Sequence, residues 1–289
     1  MFTDQPVTPM RLEILIETMS RINSTVITRK LLMDMLQPKA LVGENHDRVQ
    51  SEKTIAAAFE LGLLTEVDGY VRPAFDNSEY KLVRDLVLSV IELKVLGDTS
   101  IEPYFAPFYS YLLALNSEGA KKRTREEWAI KFERDVLADQ EINNPFNNTK
   151  YTGVNRWYSY VGLGWYDPAS TFQPNPYYRL RRSISLIFGT GPKRISGDQF
   201  MEKLAASCPE LDGGKIFLET TRNLPVAERR CTLGLSHALY DLHLDGHITL
   251  HCPADTRGWD FSLAEPSFEG TIGSNFIAEV ELKNSKNKD

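Results

Sequence analysis

Cysteine is scarce and unpaired. The 289-residue chain has three, Cys208, Cys231 and Cys252, and none forms a C-x-x-C spacing, which argues against a disulfide framework and suits a reducing cytoplasm. Long apolar runs are missing too. Nothing approaches the roughly 20 residues that span a bilayer, and the opening Met1-Phe2-Thr3-Asp4-Gln5-Pro6 lacks the basic-then-apolar order of a signal peptide. No membrane partner is expected, and the Asn147-Asn148-Thr149 sequon has no meaning in such a compartment. Positive charge is also in deficit: 33 Lys and Arg face 39 Asp and Glu, a net charge of -6. Non-specific coating of nucleic acid needs a basic footprint, so only a local patch is available for DNA. Catalytic signatures are absent as well: no G-x-S-x-G, no H-E-x-x-H and no G-x-x-x-x-G-K-[ST] occurs. Gly189-Thr190-Gly191-Pro192-Lys193-Arg194 has the wrong spacing for a phosphate loop and follows a helical pattern instead of a strand.

What is present is an ordinary globular composition, 42% hydrophobic and 25% charged, enough for a core and for one large or two to three small domains. Near the start, Thr8-Pro9 supplies a helix cap and a first-turn proline, and Leu12, Leu15, Ile16 and Met19 follow at helical spacing. After a break at Asn23-Ser24, Thr28 caps a second helix that ends at Gln37-Pro38. A polar loop at 43–47 leads to a third helix over 51–61, beginning at Ser51 and closed by Gly62. Two short strands then flank Asp68-Gly69, a dipeptide that favours a two-residue hairpin turn. Three helices and a hairpin predict a winged helix-turn-helix with the third helix in the recognition position.

Residues 78–170 read as helical. An apolar helix covers 80–96, and an aromatic stretch (Tyr104, Phe105, Phe108, Tyr109, Tyr111) is interrupted by Pro103 and Pro107. A basic surface break lies at 119–127, and further helices cover 128–136 and 151–161. From 171 the opening logic repeats. Asn175-Pro176 starts a helix with Leu180, Ile184, Ile187 and Phe188 on its apolar stripe, and Ser196-Gly197-Asp198 caps a second. A loop spans about 212–227. Residues 232–244 form a third helix, with Gly234, Ser236, His237, Tyr240 and Asp241 facing outward. Asp245-Gly246 turns the chain into a strand at 247–251, with 260–263 as its returning strand. The expected architecture is α+β and mainly helical: a winged helix-turn-helix at 1–77, a helical middle at 78–170 and a winged-helix-like domain at 171–289.

Arg48, Gln50, Ser51, Lys53 and Thr54 cluster at the start of the third helix, where a groove-reading helix presents side chains to base edges, and Arg72 lies on the wing. The same helix end favours a phosphate. Glu44, Asp47, Glu52 and Glu60 weaken the positive field, and winged helices also dock proteins, so DNA contact and protein docking both remain readings of this surface. In the C-terminal module Arg222, Arg229 and Arg230 are either a phosphate grip or a solvated rim, and protein docking is the expectation there.

Four of the five histidines lie between His237 and His251, but zinc needs four converging ligands and no acidic or cysteine partner completes a known spacing. Half-buried histidines on a wing are the simpler reading, and no metal is assigned. Glu279-Val280-Glu281-Leu282-Lys283 has the acid-x-lysine pattern in which the acid holds Mg²⁺ and the lysine positions water, with Asp255 or Asp260 as upstream acid. Alternating charge on an edge strand explains it more simply. Trp157, Tyr158, Tyr160, Trp165 and Tyr166 are read as core in preference to a base-stacking platform. No catalytic residue or cofactor is assigned.

The opening Gln5-Pro6-Val7-Thr8-Pro9-Met10-Arg11-Leu12, leading into the first module, and Thr232-Leu233-Gly234-Leu235-Ser236-His237-Ala238-Leu239-Tyr240-Asp241-Leu242-His243-Leu244-Asp245-Gly246 together resemble the DpdG-type proteins of bacterial phage-defence islands associated with 7-deazapurine modification of DNA. The resemblance is one of overall organisation and carries over no catalytic residue. It implies a bacterial accessory subunit that works with helicases or nucleases encoded nearby. The functional expectation is a non-enzymatic DNA-engaging or adaptor subunit of a multi-protein defence system. Its expected partners are other protein subunits and double-stranded DNA; its oligomeric state is left open. The alternatives are a winged-helix transcriptional regulator and a metal-dependent nuclease using Glu279, Glu281 and Lys283.

Overall fold

The computed structural model describes residues 2, 6–22, 27–38, 40, 48–76, 80–97, 102–116, 123–138, 144–168, 171–253, 257–261 and 276–283. The expected breaks at Asn23-Ser24 and 43–47, with Lys121, Lys122, Asp255, Ser262, Leu263 and the tail from 284, lie outside the described residues. The fold is α+β and mainly helical. It divides into two compact units, Met1–Val95 with Thr149–Trp157, and Leu96–Asn148 with Tyr158–Asp289. Helices of the 78–170 stretch thus fall partly in one unit and partly in the other.

In the first unit, α1 (Pro9–Arg21) starts where Thr8 accepts from the Arg11 N–H and Pro9 occupies the first turn, and it buries Leu12, Leu15, Ile16 and Met19. α2 (Arg29–Leu36) is capped by Thr28 in the same way. α3 (Val49–Glu60) starts two residues earlier than the sequence indicates, so Ser51 lies inside it. Its end is closed by bonds from Leu63 N–H to Ala58 O and from Gly62 N–H to Phe59 O. β1 (Leu64–Val67) and β2 (Tyr70–Pro73) pair antiparallel, with Val67 opposite Tyr70. Asp68 and Gly69 both take positive φ, 53° and 78°, the geometry of a type I′ turn. Ile27 forms a bridge to Val71, its carbonyl accepting from the Val71 N–H at 2.7 Å. α4 (Val83–Lys94) packs on α1, and Phe2 meets Trp157 edge-on with ring centroids 4.4 Å apart.

The second unit centres on α5 (Phe105–Asn116), whose Phe105, Phe108, Tyr109 and Tyr111 are fully buried. Pro107 does not interrupt this helix, because it sits in the first turn, where the missing N–H has no intrahelical partner. Phe108, Phe132 and Phe146 form a mutually packed cluster with centroids 4.6–5.0 Å apart. α6 (Arg125–Phe132) begins in a Thr124/Glu127 capping box and continues as a π-helical turn, Glu133–Leu137. α7 (Asn148–Val161) gives only its two ends to this unit, and β3 (Gly164–Tyr166) pairs with β4 (Phe172–Pro174). α8 (Tyr177–Phe188) buries Leu180, Ile184, Ile187 and Phe188, as its stripe predicts. It also buries Arg179, whose guanidinium meets the fully buried Glu210 carboxylate at 2.9 Å.

β5 (Arg194–Ser196) follows, then α9 (Gly197–Ser207) in a Ser196/Gln199 capping box. α10 (Lys215–Thr221) occupies part of the segment expected to be a loop, burying Ile216, Phe217, Thr220 and Thr221. α11 (Leu233–Leu244) is capped by Thr232 and packs on α5 and α8. β6 (Ile248–His251) does not pair with Asp260 or Phe261, the described part of the expected returning strand. Its partner is β9 (Glu279–Leu282), with Leu250 opposite Val280. β5 pairs with the other edge of β9, giving a three-stranded antiparallel sheet in the order β5-β9-β6. β7 (Trp259–Asp260) pairs instead with β8 (Phe276–Ile277). β9 is therefore a central strand and not the edge strand expected from its charge alternation. Its Glu279 and Glu281 are held by neighbours on both sides, and its Val280 is fully buried.

Candidate nucleic-acid interface

The six residues assigned to DNA contact separate into two groups. Gln50, Lys53 and Arg72 are exposed, the first two on α3 and the third on the hairpin. Ser51 and Thr54 are 3% and 2% exposed and bond locally: Ser51 Oγ donates to Arg48 O at 3.0 Å, and Thr54 Oγ1 to Gln50 O at 2.7 Å. The Ser51 N–H is taken by Gln37 Oε1 at 2.9 Å. Arg48 is half-buried and paired with Asp34 of α2, so its charge is met within the unit. The helix start thus fastens to α2 through Arg48 with Asp34 and through the Ser51 N–H with Gln37, keeps Thr54 buried on a bond within α3, and presents Gln50 and Lys53 to solvent. Glu52 on α3 and Glu66 and Asp68 on the hairpin are exposed beside this set.

In the second unit Arg222, Arg229 and Arg230 line one cleft of about 460 Å³ together with Trp259. Arg229 pairs with Asp198 at 2.6 Å, and Arg230 lies 3.5 Å from Asp260. Asp198 also accepts from Trp259 Nε1 at 3.1 Å. The three arginines grouped in the sequence line one cleft, and Arg229 and Arg230 are met there by acidic neighbours. The start of α11 is also turned inward. Gly234 and Ser236 are buried, contrary to their expected outward placement, because α11 packs closely at Gly234: a Cβ there would stand 2.5 Å from Pro174 O and 2.7 Å from a Leu113 methyl. His237 is exposed, and Tyr240 and Asp241 are half-exposed.

On the sheet, Arg194 Nε donates to Glu279 at 2.9 Å, while Glu281 accepts from Lys283 Nζ at 3.0 Å and meets His251 Nε2 at 3.1 Å. Hydrogen bonds from Lys283 and then His251 hold the Glu281 carboxyl below the usual range. His243 Nδ1 accepts from the Leu250 N–H at 3.3 Å, and burial holds its imidazole below the usual histidine range. Among the described residues no group of three His, Cys, Asp or Glu side chains is placed to hold a metal ion. Cys208, Cys231 and Cys252 are buried and form no disulfide; burial pushes the Cys252 thiol up to about 11.

The aromatic set at the end of α7 and on β3 is only partly core. Trp157 and Tyr158 are fully buried, but Trp165 and Tyr166 on the two-stranded β3–β4 ribbon are 51% and 45% exposed. Consecutive strand residues point to opposite faces, so this two-stranded ribbon leaves a ring partly uncovered on each, which the run of aromatics alone does not reveal.

The model of the DpdG-like family matches residues 2–256, and the chain belongs to that family. No curated protein and no solved structure matches it. Family membership associates the chain with a multi-gene island of 7-deazapurine DNA modification and defence. Among the described residues no helix is long and apolar enough to cross a membrane.

Proposed function

We propose that this DpdG-like chain is a non-enzymatic, DNA-engaging adaptor subunit of its defence system, built on a winged-helix module in each unit. The observation that carries the reading is a strand order used twice. In the first unit Ile27, which follows α1, pairs with β2, the last strand, which also pairs with β1. In the second, β5 follows α8 and pairs with β9, which also pairs with β6. A strand after the first helix that is joined by the returning strand of a wing ties recognition helix and wing to one frame.

Within that frame Gln50, Lys53 and Arg72 form the DNA-facing set. Gln50 suits a base edge, and the two cations suit phosphates. The adaptor half of the reading is supported by Met10, Ile14, Leu31 and Met35, large apolar side chains exposed on α1 and α2. The formal charge of -6 supports a few placed contacts over general DNA coating.

The test is duplex-DNA binding by fluorescence anisotropy over a salt series, for wild type and Lys53→Glu. Salt-dependent binding that Lys53→Glu largely removes is the expected result. Absence of salt-dependent binding by the wild type overturns the DNA half of the reading and leaves protein docking.

A further inference from the structure

A cleft of about 570 Å³ in the second unit belongs to none of the surfaces above. Trp165 on β3, Tyr177 and Tyr178 at the start of α8, and Leu244 at the end of α11 give it aromatic and apolar walls, and Asp241 and Asp245 supply its charge. Trp165 and Tyr178 are 51% and 58% exposed, so large ring faces stand uncovered beside two carboxylates.

The carboxylates are held in place from behind. Asn175, which is buried, donates through Nδ2 to Asp241 at 3.3 Å, and the Tyr177 hydroxyl donates to Asp245. Each carboxylate keeps lone pairs for a further donor. Two helices, α7 and α11, also end at the cleft, and helix C-termini favour positive charge. The N-terminus of α8 opposes this less than it otherwise would, because the Tyr177 N–H is taken by Asn175 Oδ1 at 2.9 Å. Of the nearby cations, Arg182 donates to Val161 O at 2.6 Å, and Arg181 lies on the exposed side of α8 near Tyr177.

We infer that this cleft docks an arginine side chain presented by a partner protein. A guanidinium is planar, stacks on Trp or Tyr and gives a carboxylate two parallel N–H donors, so rings and acids are satisfied together. The volume exceeds one side chain and takes the flanking residues of the partner segment as well. This inference stands independently of any DNA contact by α3, and its test involves no DNA-binding residue.

The experiment follows the Trp165 indole N–H resonance of the full chain while a short acetylated, amidated peptide with one central arginine is added. A matched peptide carrying citrulline, which keeps the shape and loses the charge, is the control. A saturable shift with arginine is expected, at least about tenfold weaker in Asp241→Asn or Asp245→Asn and correspondingly weak with citrulline. The Trp128 and Trp259 resonances report whether each variant keeps its fold. No shift with arginine, equal shifts with both peptides, or undiminished binding in both folded variants overturns the inference. So does a shift given by a single-stranded oligonucleotide and not by the arginine peptide.

Discussion

Asp212 shows how one side chain couples this fold to pH. It is buried beneath the start of α11, where the Thr232 N–H and hydroxyl both donate to it. Burial pushes its carboxyl up to about 6, from 3.8. The folded state therefore keeps a proton that the unfolded chain releases at lower pH. The associated stability is fully present below about pH 4 and is lost as pH rises through about 6. A two-unit difference corresponds to about 3 kcal/mol. Asp212→Asn is expected to remove this decline, seen as a wild-type-minus-variant stability difference that changes between about pH 4 and pH 6 in urea titrations and is flat above. The Arg179–Glu210 pair gives a second residue-scale prediction. Arg179→Met leaves the Glu210 carboxylate buried without its cation and is expected to cost about 3–5 kcal/mol, read from the urea midpoint. Neither pair is visible in the sequence, because its members are brought together only by tertiary packing. The caps Thr8, Thr28, Ser196 and Thr232 are legible, since each bonds three residues ahead. The burial of Ser51 and Thr54 is hidden because residue type does not say which side of α3 faces inward.

Among the elements, helix ends and the first hairpin are the most legible. α3, α7 and α11 each end in a glycine followed by a strand, and in each the N–H after the glycine bonds five residues back. Gly162 and Gly246 share nearly the same φ, 75° and 71°, but their surroundings differ: a Cβ on Gly162 would lie 2.5 Å from Tyr178 Cβ, and one on Gly246 would meet nothing within 4 Å. Gly246→Ala is therefore expected to cost only the backbone term of about 1–2 kcal/mol, and Gly162→Ala distinctly more, checked by thermal unfolding of both variants. The elements that sequence reading misses are short or paired at long range. β5 has three residues, too few for alternation to show, and α10 has two turns between a glycine pair and Arg222. β9 is missed as the partner of β6 because β7 and β8 intervene, and a strand's partner is not written in its own pattern.

For the molecule as a whole, fold class is set by composition and period and is legible. The candidate site is legible in part: of six residues placed at the DNA-facing surface, Gln50, Lys53 and Arg72 are exposed, while Arg48 pairs with Asp34 and Ser51 and Thr54 are buried. The cleft at Trp165 and Asp245 is assembled from residues 159–178 and 241–245, far apart in sequence, and has no local signature. On the function proposed above, α3 and its hairpin carry the recognition of DNA. Hydrogen–deuterium exchange of the full chain, alone and with a duplex oligonucleotide at low salt, tests that claim most directly. Slowed exchange in residues 48–60 and 64–73 is expected on adding duplex, with loss of that protection in Lys53→Glu. A duplex complex that leaves both segments unchanged, or slows exchange only within residues 171–253, would contradict it.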